Sequence, residues 1–393
     1  MERKNENVNN ELPKNFDEFQ ETRREAFIKM KNLKDSGRKV VGTFCTYTPK
    51  EILYAADLVS VSLCGVSEAP IPAAEKDLPI NLCPLIKSSY GHAITDTCPF
   101  FYFSDMILGE TTCDGKKKMF EILNKEIKDT FIMMLPQTYK LESGIPLYIS
   151  EMERLIKKLE EKFNVKITEE KLRKAIHQSN EDRKNFADLL SMGKLIPAPF
   201  KGLDMANILE AYDFTFSSEE KNQMVNDARK RANAIYEKIK DNEKLKSKKR
   251  ILVTGGPNAG VKQKVIKIFD ELGADVVVLD SCNGIRERLD LVDETLPPLE
   301  ALAKKYMNVG CSVMTYNDRR IEDLGVLIDE FKIDGIVEIV LHACHTFQIE
   351  ARRVEKFVRD EKQKPYMLIS TDYSQNDKGQ ILTRISAFLE MLE

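Results

Sequence analysis

Eight cysteines are spread over the 393 residues, and five of them stand where an apolar, β-branched run gives out. Cys45 ends KVVGTFC, Cys64 ends DLVSVSLC and Cys344 ends GIVEIVLHAC, while Cys113 follows DMILGETT and Cys282 follows ADVVVLDS. In open α/β sheets ligands collect in the crevice outside the carboxyl ends of the strands. Thiols placed repeatedly at that edge, in two separate halves of the chain, are suited to hold something soft between them. Iron–sulfur clusters are held by Cys thiolates, and cluster binding is the chemistry this arrangement first suggests.

Two plainer readings compete with it. A free cysteine is commonly a small buried hydrophobe, but that gives no reason for thiols to gather at strand ends and before prolines, as at Cys83-Pro84 and Cys98-Pro99. Structural zinc favours close pairs of the C-x₂₋₄-C kind, and the shortest spacings here leave fourteen residues between Cys83 and Cys98 and between Cys98 and Cys113.

Three further segments carry chemistry. In GETTCDGKKK a thiol precedes Asp114-Gly115, which should open a helix, and a thiol at a helix N-terminus has a depressed pKa. Lys116, Lys117 and Lys118 could offset cluster charge, dock a partner, or simply form a solvated first turn. In LHACHTFQIE, His342 and His345 flank Cys344 and are candidates for tuning a cluster or delivering protons; His92, in KSSYGHAITDTCP, is a weaker candidate of the same kind. GGPNAGVK has the Gly255–Gly260 spacing of a phosphate loop, but Val261 stands where Lys is required and no hydroxyl follows Lys262. It reads as a tight strand-to-helix turn, so any ATP chemistry belongs to another protein.

The elements that position these residues can be read along the chain. Residues 1–15 are polar, without the apolar core of a signal peptide, and read as a disordered tail. Phe16 to Ser36 predicts an amphipathic helix closed by Gly37. From there to residue 149, four strand runs alternate with helical stretches, which implies a parallel sheet covered on both faces. Residues 150–247 are predicted mostly helical. Ser150 with Glu153 and Ser217 with Glu220 have capping-box spacing, Thr168 looks like an N-cap, and Leu172, Ile176, Met224, Ala228, Ala232, Ile235 and Ile239 recur at the helical period. Such a block usually braces the domains on either side. Residues 248–393 return to the α/β pattern, with strands at ILVTGG, ADVVVLDSC, GIVEIVLHACH and PYMLIST. The expected fold is therefore two Rossmann/flavodoxin-like domains with parallel sheets, a helical segment between them, and the thiols in an interdomain cleft.

Composition narrows the function. A net charge of -3 with a pI near 6.0 gives no support for a nucleic-acid partner. No segment reaches the ~18 consecutive apolar residues of a membrane span. The expectation is a cytoplasmic protein, where thiols stay reduced.

Taken in order, CTYTPKEILYAADLVSVSLC, NLCPLIKSSYG, CPFFYFSDMILGETTCDGKKKMFE, GIVEIVLHACHTFQIE and TDYSQNDKGQILTRISAFLEML resemble the component-D superfamily of 2-hydroxyacyl-CoA dehydratases and benzoyl-CoA reductases, from about residue 15 to the last. Within it the resemblance is nearest to the double-cubane cluster proteins. It implies an 8Fe-9S cluster, two four-iron cubanes joined by a sulfide, and a homodimer. It also implies a separate ATP-hydrolysing iron–sulfur activator that delivers low-potential electrons for reducing small molecules such as acetylene and azide. In the dehydratase subunits three cysteines hold one 4Fe-4S cubane, and their motifs match Cys83, Cys113 and Cys344. A second cubane needs three more thiolates. The strand-edge position favours Cys45 and Cys64 and leaves the sixth between Cys311 and Cys282; Cys98 precedes its strand and falls at the far edge. The alternatives are a 2-hydroxyacyl-CoA dehydratase subunit with a single 4Fe-4S cluster and a non-catalytic electron-transfer protein. Eight cysteines exceed what one open cubane requires.

Overall fold

A computed structural model describes residues 21–392; the predicted tail and the predicted helix start at Phe16 lie outside the described residues. Within them all eight predicted strands form. Four build an N-terminal sheet, β1 (Val40–Thr43), β2 (Val59–Ser62), β3 (Met106–Glu110) and β4 (Thr130–Met133). Four more build a C-terminal sheet, β5 (Arg250–Gly255), β6 (Asp275–Asp280), β7 (Gly335–Leu341) and β8 (Tyr366–Thr371). The orders are β2-β1-β3-β4 and β6-β5-β7-β8, with every ladder parallel. The two sheets thus have one topology, used twice.

Strand side chains alternate between faces, and here both faces are buried. Val40 and Ile107 join one core; Val41, Met106 and Leu108 join the other. This is why the strands read as nearly unbroken apolar runs. β7 is buried along its whole length, including Glu338. A buried carboxylate needs partners; Arg320 binds it at 2.7 Å and the Tyr366 hydroxyl donates to it at 2.8 Å.

The helical middle differs from the sequence reading at its start. Ser150 is not a cap: the helix Gly144–Phe163 runs straight through it. The buried series Tyr148, Met152, Leu155 and Leu159 keeps the helical period across that position, and this stronger signal overrides a Ser-x-x-Glu spacing. The other two caps form as expected, Thr168 accepting from the Lys171 N–H and Ser217 from the Glu220 N–H. Leu172, Ile176, Ala228 and Ala232 are buried, but Ile235 is 45% exposed, so the apolar stripe of Ser218–Ile239 fades toward its end.

The helix Glu169–Ser191 packs on Lys50–Ala55, from the N-terminal sheet's half, and on Pro298–Met307, from the C-terminal one. Arg183 sits at that junction and binds the fully buried Glu51 at 2.5 Å. The Tyr306 hydroxyl donates to the other Glu51 oxygen at 2.8 Å. Among the described residues, no helix is long and apolar enough to cross a membrane.

Removing one member of a buried ion pair leaves an uncompensated charge and costs about 3–5 kcal/mol. Arg183→Met should therefore lower the urea midpoint by a stability loss of about 3 kcal/mol. A loss below ~1 kcal/mol would place the pair with surface ion pairs, with no bracing role.

Candidate metal centre

Strand order reverses between β1 and β3 in the first sheet and between β5 and β7 in the second. Such switch points, at the carboxyl ends, are where open α/β sheets bind ligands. Cys45 follows β1, Cys113 follows β3 and Cys344 follows β7, so three thiols come from strands that flank the two switch points. The carboxyl edges border one cavity of about 680 Å³, within the roughly 300–1,000 Å³ of small-molecule sites. Cys45, Cys64, Cys83, Cys113, Cys282, Cys311 and Cys344 all line it. Among the described residues no three His, Cys, Asp or Glu side chains close on a single point as a lone ion would require. The thiols ring a space, which suits a multi-atom cluster.

Their chemistry is set by removal from water. Burial pushes up the thiols of Cys45, Cys64 and Cys311, and that of Cys282 to about 12. Cys344 departs from the rest. Cys83 hydrogen-bonds to it, and its own ionisation is thereby eased below that of an ordinary thiol; the Phe347 N–H, in the first turn of the helix His345–Lys356, helps. Cys83 and Cys113 likewise stand at the N-termini of helices, Pro84–Thr95 and Asp114–Glu126. The contact between Cys83 and Cys344 joins residues from the two halves of the chain.

Other groups complete the surroundings. Lys116 turns inward, its Nζ donating to the Phe44 carbonyl at 2.9 Å. Burial alone would discharge it, but ionisation of the neighbouring thiols, Cys45 and Cys64 foremost, favours its ammonium and holds it well above the usual range. Lys117 and Lys118 point out and pair with Asp114 and Glu121, so the predicted trio divides. Glu110, at the end of β3, is fully buried and pushed up by that burial to about 7. Thr48 donates to one of its oxygens and the other has no partner. At one end of the cavity Lys50 and Glu287 lie 3.7 Å apart beside Asp213.

The donor set and its setting fit an iron–sulfur cluster. The soft thiols are there, and the hydroxyls of Thr46, Thr112 and Tyr373 are buried without any hydrogen-bond partner. Thr46 and Thr112 line the cavity, and Tyr373, just outside the lining, is within electrostatic reach of Cys83, Cys64, Cys282 and Cys344. Buried donors of this kind are nearly always paired, and sulfur acceptors in the cavity would pair them.

Of the histidines, His345 lines the cavity. His342 is exposed, with Nδ1 3.7 Å from Asp372, and His92 is buried away from the cavity with Nδ1 2.8 Å from the Thr97 hydroxyl. Neither belongs to the cavity lining. Cys98 does not line it either; its sulfur accepts from the Phe101 N–H at 3.5 Å, at the start of the short helix that precedes β3. The expected tight turn after β5 is longer than expected, with ten residues from Gly256 to Val265 before the helix Ile266–Glu271. Lys262 within it is engaged by Asn207 at 2.8 Å and by Glu210. Tyr373, Thr46 and Thr112 had no role in the sequence reading. Tyr373 stood in TDYSQND, one of the motifs that carried the resemblance, and that was its only signal.

Two parallel sheets of one topology, each with a thiol at its switch point, define an α/β protein with a cysteine-lined cleft. The family profile of the 2-hydroxyglutaryl-CoA dehydratase D-component matches residues 45–392, and the chain belongs to that family. It is 42% identical to a protein of Escherichia coli K12 named "Putative dehydratase subunit YjiM", over 97% of this chain and 99% of that one. It is 25% identical to the (R)-phenyllactyl-CoA dehydratase beta subunit of Clostridium sporogenes, over 92% and 94% of the two chains. With the lactoyl-CoA dehydratase beta subunit of Anaerotignum propionicum the identity is 24%, over 91% and 93% of the two chains.

In protein stripped of metal, Cys344 should carry more thiolate at neutral pH than Cys45 or Cys282, because its pKa is lowered while theirs are raised. Limited alkylation near pH 7 followed by peptide mass spectrometry should find Cys344 labelled ahead of those two. Labelling of Cys45 first would contradict the hydrogen bond from Cys83.

Proposed function

We propose that this chain is the cluster-bearing subunit of an activator-dependent iron–sulfur enzyme, acting on a small molecule admitted to the thiol-lined cavity. One observation carries the reading: seven of the eight cysteines line a single cavity between the carboxyl edges of two sheets. The bound cluster would supply single, strongly reducing electrons. The chain's own residues do the rest. Cys83, Cys113 and Cys344 would hold one cubane, and Cys45 and Cys64, with either Cys311 or Cys282, a second one. Lys116 offsets part of the negative charge that thiolates and sulfides bring. Lys50, Glu287 and Asp213 give the substrate space one charged wall, and His345 is the histidine placed to pass protons into it.

Two readings of the cluster follow. The names of the relatives favour a 2-hydroxyacyl-CoA dehydratase subunit with one 4Fe-4S cubane on Cys83, Cys113 and Cys344. The thiol count favours the 8Fe-9S double cubane and a reductase of small molecules, since one open cubane leaves four lining thiols without a task. Iron and acid-labile sulfide per chain after anaerobic purification separate them, about eight irons against about four. Serine in place of Cys83, Cys113 or Cys344 should lose a cubane, which is nearly all of the iron under the single-cluster reading and about half of it under the double-cubane reading. Cys45→Ser and Cys64→Ser should cost about half of it under the double-cubane reading alone. Cys98→Ser should keep it, and full iron content in a Cys113→Ser variant would falsify the assignment.

The electrons would come from an ATP-hydrolysing iron–sulfur activator. The glycine-rich loop here has its lysine bound to Glu210, and no hydroxyl follows it to hold a metal–phosphate. A symmetric activator is matched most simply by a homodimer of this chain, because a two-fold axis presents equivalent patches. Lys117 and Lys118, exposed on the helix that Cys113 begins, are the proposed docking charges. Reversing both to Glu should weaken activator-dependent reduction and its salt sensitivity at unchanged iron content. ATP hydrolysis by this protein alone, free of activator, would defeat the two-component scheme.

A further inference from the structure

The turn after β8, Asp372 to Asp377, is anchored from within and from the glycine-rich loop. Lys264 is 1% exposed, and its Nζ donates to the Ser374 carbonyl at 2.6 Å and to Asp377 at 2.7 Å. The Thr371 hydroxyl donates to the second Asp377 oxygen at 2.5 Å, and the Ser374 N–H to Asp372 at 2.8 Å. Tyr373 stands between these fixed points and is 5% exposed.

Its ring is seated by a missing side chain. A Cβ at Gly260 would lie 2.5 Å from Tyr373 Cε1 and 2.7 Å from the Val66 carbonyl oxygen, closer than real Cβ atoms come. Gly260 and Lys264 both belong to the segment whose glycine spacing imitates a phosphate loop. That segment therefore grips the Tyr373 turn twice, once by leaving room and once by an ammonium.

The hydroxyl held this way has no hydrogen-bond partner. Buried tyrosine hydroxyls normally find one. Gly260 sits between the ring and the Val66 carbonyl, two residues past Cys64, and the ionisable thiols within electrostatic reach of the hydroxyl are Cys83, Cys64, Cys282 and Cys344, from both halves of the chain.

The geometry points to Tyr373 as a positioning residue of the metal centre, its hydroxyl donating a hydrogen bond to a sulfur of the bound cluster or of a ligating thiolate, with Gly260 and Lys264 fixing it in place. This rests on the cavity being a cluster site. A donor to sulfur stabilises the added electron and raises the reduction potential.

The test is a redox titration of the anaerobically purified protein, with iron per chain measured alongside. Tyr373→Phe keeps the ring and should shift the potential to a more negative value at wild-type iron content. Gly260→Ala, which displaces the ring, should shift it the same way. Replacing Tyr373 with 3-fluorotyrosine, a stronger donor of the same shape, should move it the other way, and this variant decides the matter if the Phe variant loads poorly. Wild-type potentials in the loaded variants would overturn the inference while leaving the cluster reading intact, since water would then be the hydroxyl's partner. A wild-type protein that binds no iron would overturn both, and the iron assay distinguishes the two cases.

Discussion

The structure depends on keeping seven thiols out of water while leaving them a shared space. A buried thiol gives up its proton reluctantly, because the thiolate would lose its hydration. Cys45, Cys64, Cys282 and Cys311 are all held protonated for that reason. Metal reverses the preference, since a ligating thiol must be deprotonated and metal binding therefore releases protons. The same burial that makes the empty thiols inert would thus make metal binding and folding one event. Cys83 and Cys344 show the consequence most plainly: two thiols far apart in sequence are coupled in their ionisation, and both lie at helix N-termini.

No single half of the chain can build this space. Each sheet has one switch point, and the thiols at the two switch points face a common cavity. The relative placement of the sheets is consequently a functional coordinate. It is held by a polar junction and not by apolar packing alone. Glu51 comes from the N-terminal half, Tyr306 from the C-terminal half and Arg183 from the helical middle, and the three are mutually hydrogen-bonded in the interior. Removing all three charges or hydroxyls could be neutral for stability. A bonded triad, however, has fixed geometry where greasy surfaces can slide, and the adjacent Lys50 and Glu287 extend it to the cavity wall.

Much of this was legible in the sequence, and the failures have physical causes. The eight strands could be read because both faces of each sheet are buried, which produces short apolar runs with few competing interpretations. Cysteines at the ends of those runs then had only one edge to occupy. Ser150 misled because a cap is defined by where the helix begins, and the Tyr148–Met152–Leu155–Leu159 series shows that it had begun already. Lys116, Lys117 and Lys118 could not be told apart by type. Successive helical residues are turned by about 100°, so only one of the three could face the thiols. His92 and His342 were drawn in by proximity in sequence to Cys98 and Cys344. His342 lies on the connection out of β7, on the solvent side, and His92 sits in the body of its helix, turned toward Thr97.

The glycine-rich loop shows most clearly how one local pattern serves different ends. A glycine-rich turn at the carboxyl end of a strand is where α/β proteins often cradle phosphate, provided that backbone N–H groups at a helix N-terminus face the ligand. Here the helix starts only at Ile266, six residues past Gly260, and has six residues itself. Lys262 is committed to Glu210 and Lys264 to the turn after β8. What remains of the pattern is its steric content, a residue without a side chain where an aromatic ring must pass. The glycine is required by a tyrosine more than a hundred residues away, and that relation cannot be found by reading along the chain. Spacing of glycines therefore indicates close approach, and only the partner in space says what approaches.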